Sequence, residues 1–343
     1  MRAVIFESPN QPMRLVERSD PQPGPGEAVL RVQACGICGS DLHATRPGGI
    51  ARSGGILGHE VAGTIDSLGP EPHGDWHVGD RVFVISWMSC GSCGWCLTDQ
   101  NHRCDTIEYF GALGEGSPDG AYAELLLVRT QDLLKIPDEV ETEVAALIEP
   151  LATGLMLIRE ANLSIGDRVV VLGGGPIGLC SVLWARFFGA RRVLMTEMVP
   201  SRLALGQQMG ATDVLNVSEV DDVPTAVSDI LGQPPDVVIE CIGRPGVLSG
   251  AIDMVRHAGT VIAGGVCMEP DTLSHLDAYF KEPTVRFPQT YTKQENAFVL
   301  EMIASGRIDP RPILSHTVTL DELPEAFEAL RSPTDQCKVV VTP

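Results

Sequence analysis

The spacing of apolar positions changes character partway along this chain. The first ~150 residues hold short apolar runs between Gly and Pro punctuation: AVIFE, EAVLRVQAC, EVAGTIDSLG, DRVFVIS and AYAELLLV. Runs of this length, closed by turn residues, predict a small β-barrel-like domain rather than a doubly wound sheet. From about Glu149 strands and helices alternate: DRVVVLG, PIGLCSVLWARFFGA, RRVLMTE, SRLALGQQMGA, ATDVLNV, a helix near 222–231, DVVIECIG, a helix near 246–256, GTVIAGGV and TVRF. Apolar strands separated by helix-length segments predict a parallel sheet covered by helices on both faces. After about residue 290, AFVLEMIASGRI and LDELPEAFEALR read as helices and CKVVVT as a last strand. The chain is expected to return there to its first domain. The predicted division is 1–153 with 290–343, against 154–289.

Charge narrows the partners. Of 343 residues, 25 are Lys or Arg and 45 Asp or Glu, a formal net charge of -20. Nucleic acid and anionic membranes are recognised by clustered positive charge, so neither is expected as a partner. The opening MRAVIFESPNQP has one short apolar run, broken by Glu7 and Pro9, and does not read as a signal peptide. No stretch approaches the ~20 apolar residues of a membrane helix. Ten cysteines without an export signal fit a reducing compartment, and a cytoplasmic location is expected.

Four of those cysteines, Cys90, Cys93, Cys96 and Cys104, fall within SWMSCGSCGWCLTDQNHRC. Closely spaced thiolates suit a structural zinc, tetrahedral and closed to substrate, in a lobe of about 87–106. Two disulfides are the alternative, but they would close cramped loops. Cys35, Cys180, Cys241, Cys267 and Cys337 have no metal-site spacing and read as core or surface thiols.

GGGPIG at 173–178 holds Gly173-x-Gly175-x-x-Gly178, with Pro176 and Ile177 between the last two glycines. It follows the strand RVVVL and opens a helix, the setting of a dinucleotide-binding turn. Gly173 permits the turn, Gly175 lets the backbone approach a pyrophosphate, and Gly178 lets helix and strand pack closely. Exposed amides at the helix start attract phosphate. Glu197, closing the next strand, would accept from the ribose hydroxyls and repel a 2′-phosphate, favouring NAD over NADP. Arg202 nearby keeps NADP as the minority reading.

A second metal site is less visible. Cys38 in CGICGSDLH and His59 in GHE are ligand types for zinc, and Glu60 or Glu149 could supply a carboxylate. From spacing alone, a lone Cys and His are more often packing or hydrogen-bonding groups than ligands.

Taken together, CGICGSDLH, GHEVAG, the four-cysteine lobe, IEPLATG, GGGPIG and DVVIECIG occur in an order that resembles the zinc-dependent medium-chain alcohol dehydrogenases, near the sorbitol, threonine and secondary-alcohol branches. The resemblance covers nearly the whole chain. It implies an α/β protein: a GroES-like β-barrel catalytic domain, a Rossmann doubly wound parallel-sheet cofactor domain, and catalysis in the cleft between them. It implies two zincs per chain and NAD. Cys38 and His59 match two catalytic-zinc ligands and Glu149 the third. Glu60 matches a glutamate that reaches the metal during exchange, and Asp41 a carboxylate that orients the histidine. Ser40 and His43 match a proton relay. Trp87, Tyr109 and Phe110 fall where the resemblance places a pocket wall. Thr290-Tyr291 stands where polyol enzymes carry Arg-Tyr, which weakens a sorbitol-like assignment. Lys338 could approach cofactor phosphates, but a solvated lysine is the stronger expectation.

The expected function is hydride transfer between NAD and the carbinol carbon of a secondary alcohol, polyol or hydroxy-amino acid. Alternatives are an NADP(H)-dependent carbonyl reductase of the same fold, or a non-catalytic family member. A homo-oligomer, dimer or tetramer, is expected by analogy.

Overall fold

The computed structural model describes residues 1–332 and 335–343. It divides into two compact units, Met1–Glu149 with Thr292–Pro343, and Pro150–Tyr291. The first division falls inside the helix Ile148–Glu160, and the second immediately precedes the helix Lys293–Ala304. That second helix starts on a capping box: Thr292 Oγ1 accepts from Glu295 N–H at 3.1 Å, and Glu295 Oε2 accepts from Thr292 N–H at 2.6 Å.

The first unit is organised by a seven-stranded, mostly antiparallel sheet. Its order is Leu314–Val318, Lys338–Val341, Glu27–Gly36, Glu60–Leu68, Arg81–Val84 and Leu133–Lys135, with Leu125–Arg129 also paired to Glu27–Gly36. Register matters here. Gly36 pairs with both Glu60 and Val340, so three segments distant in sequence meet at one end of the sheet. Beneath them lies a core that includes Leu30, Val61, Val84, Tyr122, Phe327 and Val339.

The second unit holds six parallel strands in the order Asp213–Asn216, Arg192–Glu197, Arg168–Leu172, Val237–Glu240, Thr260–Ala263 and Thr284–Arg286. The first strand of the unit in sequence, Arg168–Leu172, sits third, and the order reverses beside it, which is the doubly wound arrangement. Its burial is nearly continuous, as is that of Val237–Glu240, because helices cover both faces. Helix ends carry their own signals. Asp222 accepts from Thr225 N–H at 3.2 Å to open Val223–Leu231, and Gly232, at a φ of 77°, closes it.

Two carboxylates brace this sheet. Asp213 bonds Arg192, and Asp236 bonds Arg256 while accepting from Arg168 N–H at 2.9 Å. Burial alone would raise both carboxyls, but the hydrogen bonds and arginine charges hold them below the usual 3.8. On acidification the unfolded chain therefore takes up these protons first. Their stabilisation is present above about pH 4 and is lost as pH falls through the lower native values. Acid unfolding of Asp236→Asn should accordingly show a shallower pH dependence than the parent chain, measured by circular dichroism.

Candidate active site

The strand Glu27–Gly36 delivers Cys38 just beyond its end, on the extended residue that precedes the short helix Gly39–Ala44. Its antiparallel neighbour Glu60–Leu68 begins at the same level, placing His59 and Glu60 opposite. The ligand atoms of Cys38, His59 and Glu60 lie within 4.8 Å of one another, one of two such clusters among the described residues. Both ends of the short helix are fixed. Asp41 Oδ2 accepts from Cys38 N–H at 3.2 Å, and Arg331 donates to Leu42 O at 3.0 Å and to Thr45 Oγ1 at 2.9 Å.

Asp41 and His59 are both buried, with Asp41 Oδ1 3.3 Å from His59 Nδ1. Burial would lower the imidazole pKa, but the Asp41 charge and Cys38 raise it well above 6.5. The same carboxylate is held below its usual value despite its own burial, through His59, Tyr122 and Cys38 N–H. Nδ1 thus faces Asp41 Oδ1 as a close ion-pair contact, neither atom having a hydrogen-bond partner among the described residues, while Nε2 looks the other way, 3.4 Å from Ser40 Oγ. His43 lies one turn further along the same helix, half-buried, and loss of solvent and the charge of Arg46 lower its pKa below 6.5.

Glu60 corrects one expectation. Lys338 is not a solvated lysine: it is 1 % exposed, and its Nζ lies 2.6 Å from Glu60 Oε1 and 3.0 Å from Ile37 O. Burial opposes its charge, but Glu60, Cys38 and Glu149 more than compensate, and its pKa is raised. Glu60 Oε2 is buried with no hydrogen-bond partner among the described residues. An unpartnered carboxylate oxygen in a dry site is costly unless it has a use, so a thiol, an imidazole and this oxygen together suit a zinc ion. Glu149 lies in the first turn of Ile148–Glu160, buried, outside that 4.8 Å cluster but close enough to act on Lys338.

The other cluster is Cys90, Cys93, Cys96 and Cys104. Sulfur separations are 3.5 Å for Cys90–Cys104 and Cys93–Cys96, and 3.9 Å for Cys93–Cys104 and Cys90–Cys96. A tetrahedron of ~2.3 Å Zn–S bonds has edges of about 3.8 Å, so the donors fit the ion. They are far beyond the ~2.0 Å of a disulfide. Ser92 N–H and hydroxyl, with Cys93 N–H, pull Cys90 down to about 5, whereas loss of solvent and the Cys93 thiol push Cys96 up to about 11. Four sulfurs this close cannot all ionise without a cation among them.

In the second unit, the helix Pro176–Phe187 opens directly from the glycine turn, with Gly175 as its N-cap and Pro176 and Ile177 in its first turn. A Cβ on Gly178 would lie 1.9 Å from Gly173 O, so only glycine permits this packing. Glu197 accepts from Gly174 N–H at 2.9 Å and from Met198 N–H at 2.6 Å, and Arg202 Nη1 is 3.9 Å from it. The acid and the candidate NADP-binding arginine are therefore neighbours.

Of the proposed pocket aromatics, Trp87 is 1 % exposed, opposite Tyr109 in a two-stranded ribbon with Lys293 over its ring, and Phe110 is also buried. Thr290 and Tyr291 are buried as well. Sequence reasoning overlooked Tyr122, which donates to Asp41 at 2.7 Å across 81 positions. For Lys338 the one signal was a charge inside the apolar strand CKVVVT.

Comparison with known proteins agrees with this architecture. Residues 24–138 match the alcohol dehydrogenase GroES-like domain, and residues 176–305 match the zinc-binding dehydrogenase family. The chain is 34% identical to L-threonine 3-dehydrogenase of Pyrococcus horikoshii, covering 97% of this chain and 96% of that protein. It is 31% identical to sorbitol dehydrogenase of Gallus gallus, covering 94% and 95%. A zinc-binding dehydrogenase structure from Sinorhizobium meliloti 1021, with NADP bound, superposes with a TM-score of 0.90 at 29% identity, covering 100% of this chain and 99% of that one. No helix among the described residues is long and apolar enough to cross a membrane. With its GroES-like and Rossmann-type domains, the chain belongs to the zinc-dependent medium-chain alcohol dehydrogenase family, whose chemistry is oxidoreduction with a nicotinamide cofactor.

Proposed function

We propose that the protein is an NAD-dependent dehydrogenase of secondary alcohols, polyols or hydroxy-amino acids, acting from the cytoplasm. The observation that carries this reading is the convergence of Cys38, His59 and Glu60 at one end of the first unit's sheet. Cys38 and His59 would hold the catalytic zinc, with Glu149 or Glu60 completing the set and Cys90, Cys93, Cys96 and Cys104 holding the structural zinc. The bound ion supplies Lewis acidity toward a substrate oxygen. Everything else falls to the chain. Asp41 keeps the His59 ring in one orientation. Lys338 holds one oxygen of Glu60, leaving the other to approach or withdraw. Ser40, exposed and 3.4 Å from His59 Nε2, would relay the substrate hydroxyl proton, accepting it as its own hydroxyl proton moves on toward neutral His43, which releases it to solvent. A bound dinucleotide would supply the hydride acceptor, and the turn at Gly173, Gly175, Pro176, Ile177 and Gly178 would hold its pyrophosphate.

NAD would be preferred because the Glu197 carboxylate, bonded to Gly174 N–H beside the glycine turn, would accept from the ribose hydroxyls and repel a 2′-phosphate. The NADP in the Sinorhizobium structure, together with Arg202 beside Glu197, supports the alternative of an NADP(H)-dependent carbonyl reductase. Glu197→Ala separates the two. Loss of charged hydrogen bonds worth ~1.5–3 kcal/mol should cut kcat/KM with NAD by roughly 10–100-fold while NADP gains relative to it. A panel of secondary alcohols, polyols, sugars and L-threonine, followed by NADH absorbance, tests the substrate class; no turnover in zinc-loaded protein would leave a non-catalytic member.

A second copy of the chain belongs to the same proposal. Leu276, Tyr279, Phe280 and Phe287 are each 64% exposed or more and flank Thr284–Arg286, the outermost strand of the parallel sheet. An apolar cluster beside an open sheet edge is a self-association surface. Phe280→Glu should shift sedimentation toward monomer; an unchanged profile would place the interface elsewhere.

A further inference from the structure

Tyr122 belongs to no ligand set, relay or cofactor loop, yet it is fully buried behind the histidine. Its hydroxyl donates to Asp41 Oδ2 at 2.7 Å. The other donor to that oxygen is the longer Cys38 N–H bond at 3.2 Å. Asp41 Oδ1 is the atom that faces His59 Nδ1.

The backbone around Tyr122 is fixed to the segment that carries the histidine. Tyr122 N–H donates to Leu57 O at 2.9 Å, and Ala121 N–H donates to Gly58 O at 2.9 Å. On its other side Tyr122 O accepts from Val4 N–H at 2.8 Å. The phenol ring packs directly on Gly58, the residue before His59. A Cβ at Gly58 would sit 2.6 Å from the ring and 2.9 Å from Cys35 Sγ, and the φ there is +96°. Ring, hydroxyl and main chain thus grip His59 and its carboxylate partner at once.

We propose that Tyr122 is a positioning residue for the metal centre, its hydroxyl locking Asp41 so that His59 Nδ1–H has one fixed acceptor and Nε2 one fixed direction. This rests on the reading of Cys38 and His59 as zinc ligands. A fully buried carboxylate has no water to replace a lost donor, so its orientation depends on the side chains around it. The phenol bond to it is charge-assisted and short, roughly twice the strength of a neutral one. Without the hydroxyl, Oδ2 keeps only the longer amide bond. The carboxylate is then free to rotate, and the imidazole it orients follows. Groups that orient metal ligands in this way typically change metal affinity by ~10–100-fold when removed. A tyrosine that merely fills the core would need its ring and not its hydroxyl.

Tyr122→Phe keeps the ring and removes only the donor. The measurement is the rate at which each zinc leaves the full-length, zinc-loaded protein to a chelator, with the four-cysteine lobe as internal control. We expect the zinc of the Cys38–His59 site to leave about 10–100-fold faster and the lobe zinc to leave at the parent rate. The double variant with Asp41→Asn should lose no more than Asp41→Asn alone. Release of both zincs at the parent rate would overturn the proposal, as would equal acceleration of both with a lowered Tm. Should Tyr122→Phe fold poorly, fluorotyrosine incorporated in the parent chain provides the second measurement. The four tyrosines give four signals, assigned by single Phe variants at the other three. The Tyr122 signal should shift when the Cys38–His59 zinc is withdrawn; a signal that stays fixed would overturn the proposal. A parent chain that takes up zinc only in the cysteine lobe would sink the metal reading of Cys38 and His59 first, and this proposal with it.

Discussion

Cys38→Ser should abolish turnover while leaving the cofactor's affinity close to the parent value. A serine hydroxyl stays protonated at neutral pH and cannot replace a thiolate as a soft ligand to zinc. The ion's charge on a developing oxyanion contributes several kcal/mol, and each 1.36 kcal/mol is tenfold, so a loss of roughly a thousandfold or more in kcat is expected. His59→Ala should do the same with an added cost, because Asp41 is completely buried and would lose the imidazole it faces. Nicotinamide fluorescence on titration measures the second half of the expectation. The glycine turn and Glu197 belong to the second unit, whereas Cys38 and His59 belong to the first, so binding and turnover should separate cleanly. Parent-level turnover in Cys38→Ser would end the zinc mechanism.

The second large effect concerns the cysteine lobe. In Cys104→Ser we expect one zinc per chain instead of two, rapid proteolysis within about 87–106, and a lowered Tm. Cys104 is the buried member of the four, and its sulfur accepts from Cys90 N–H at 3.3 Å as well as facing two other sulfurs. Around it the segment has little core of its own: the helix Gly94–Leu97 is a single turn with no buried residue. Structural zinc contributes ~10–16 kcal/mol of apparent binding free energy, which in such a segment is also its folding free energy. Metal analysis and limited proteolysis should therefore change together. A Cys104→Ser protein that keeps two zincs and resists protease would show that the lobe is held by packing instead.

How far these sites could be read beforehand depended on the distance between their members. The four cysteines fall 14 positions apart end to end, so residue spacing alone brought them together. The glycine turn was legible for the same reason, since strand, turn, helix and Glu197 follow one another within the same unit. The Lys338 expectation failed because its partner, Glu60, lies 278 positions away. Tyr122 was invisible because nothing near residue 122 announces a carboxylate brought in from residue 41.

By itself, then, the sequence determined the two-part alternation of elements, the four-cysteine cluster and the glycine turn, because short-range periodicity and residue spacing act within a few turns of chain. Tertiary structure decided the rest. Pairing of Gly36 with both Glu60 and Val340 carries Cys38, His59, Glu60 and Lys338 to one end of one sheet, and the 120–123 segment sets Tyr122 behind them. Sheet register is a collective outcome of core packing, not a property of any single segment, which is why the ion pair and the tyrosine emerged only from the folded chain.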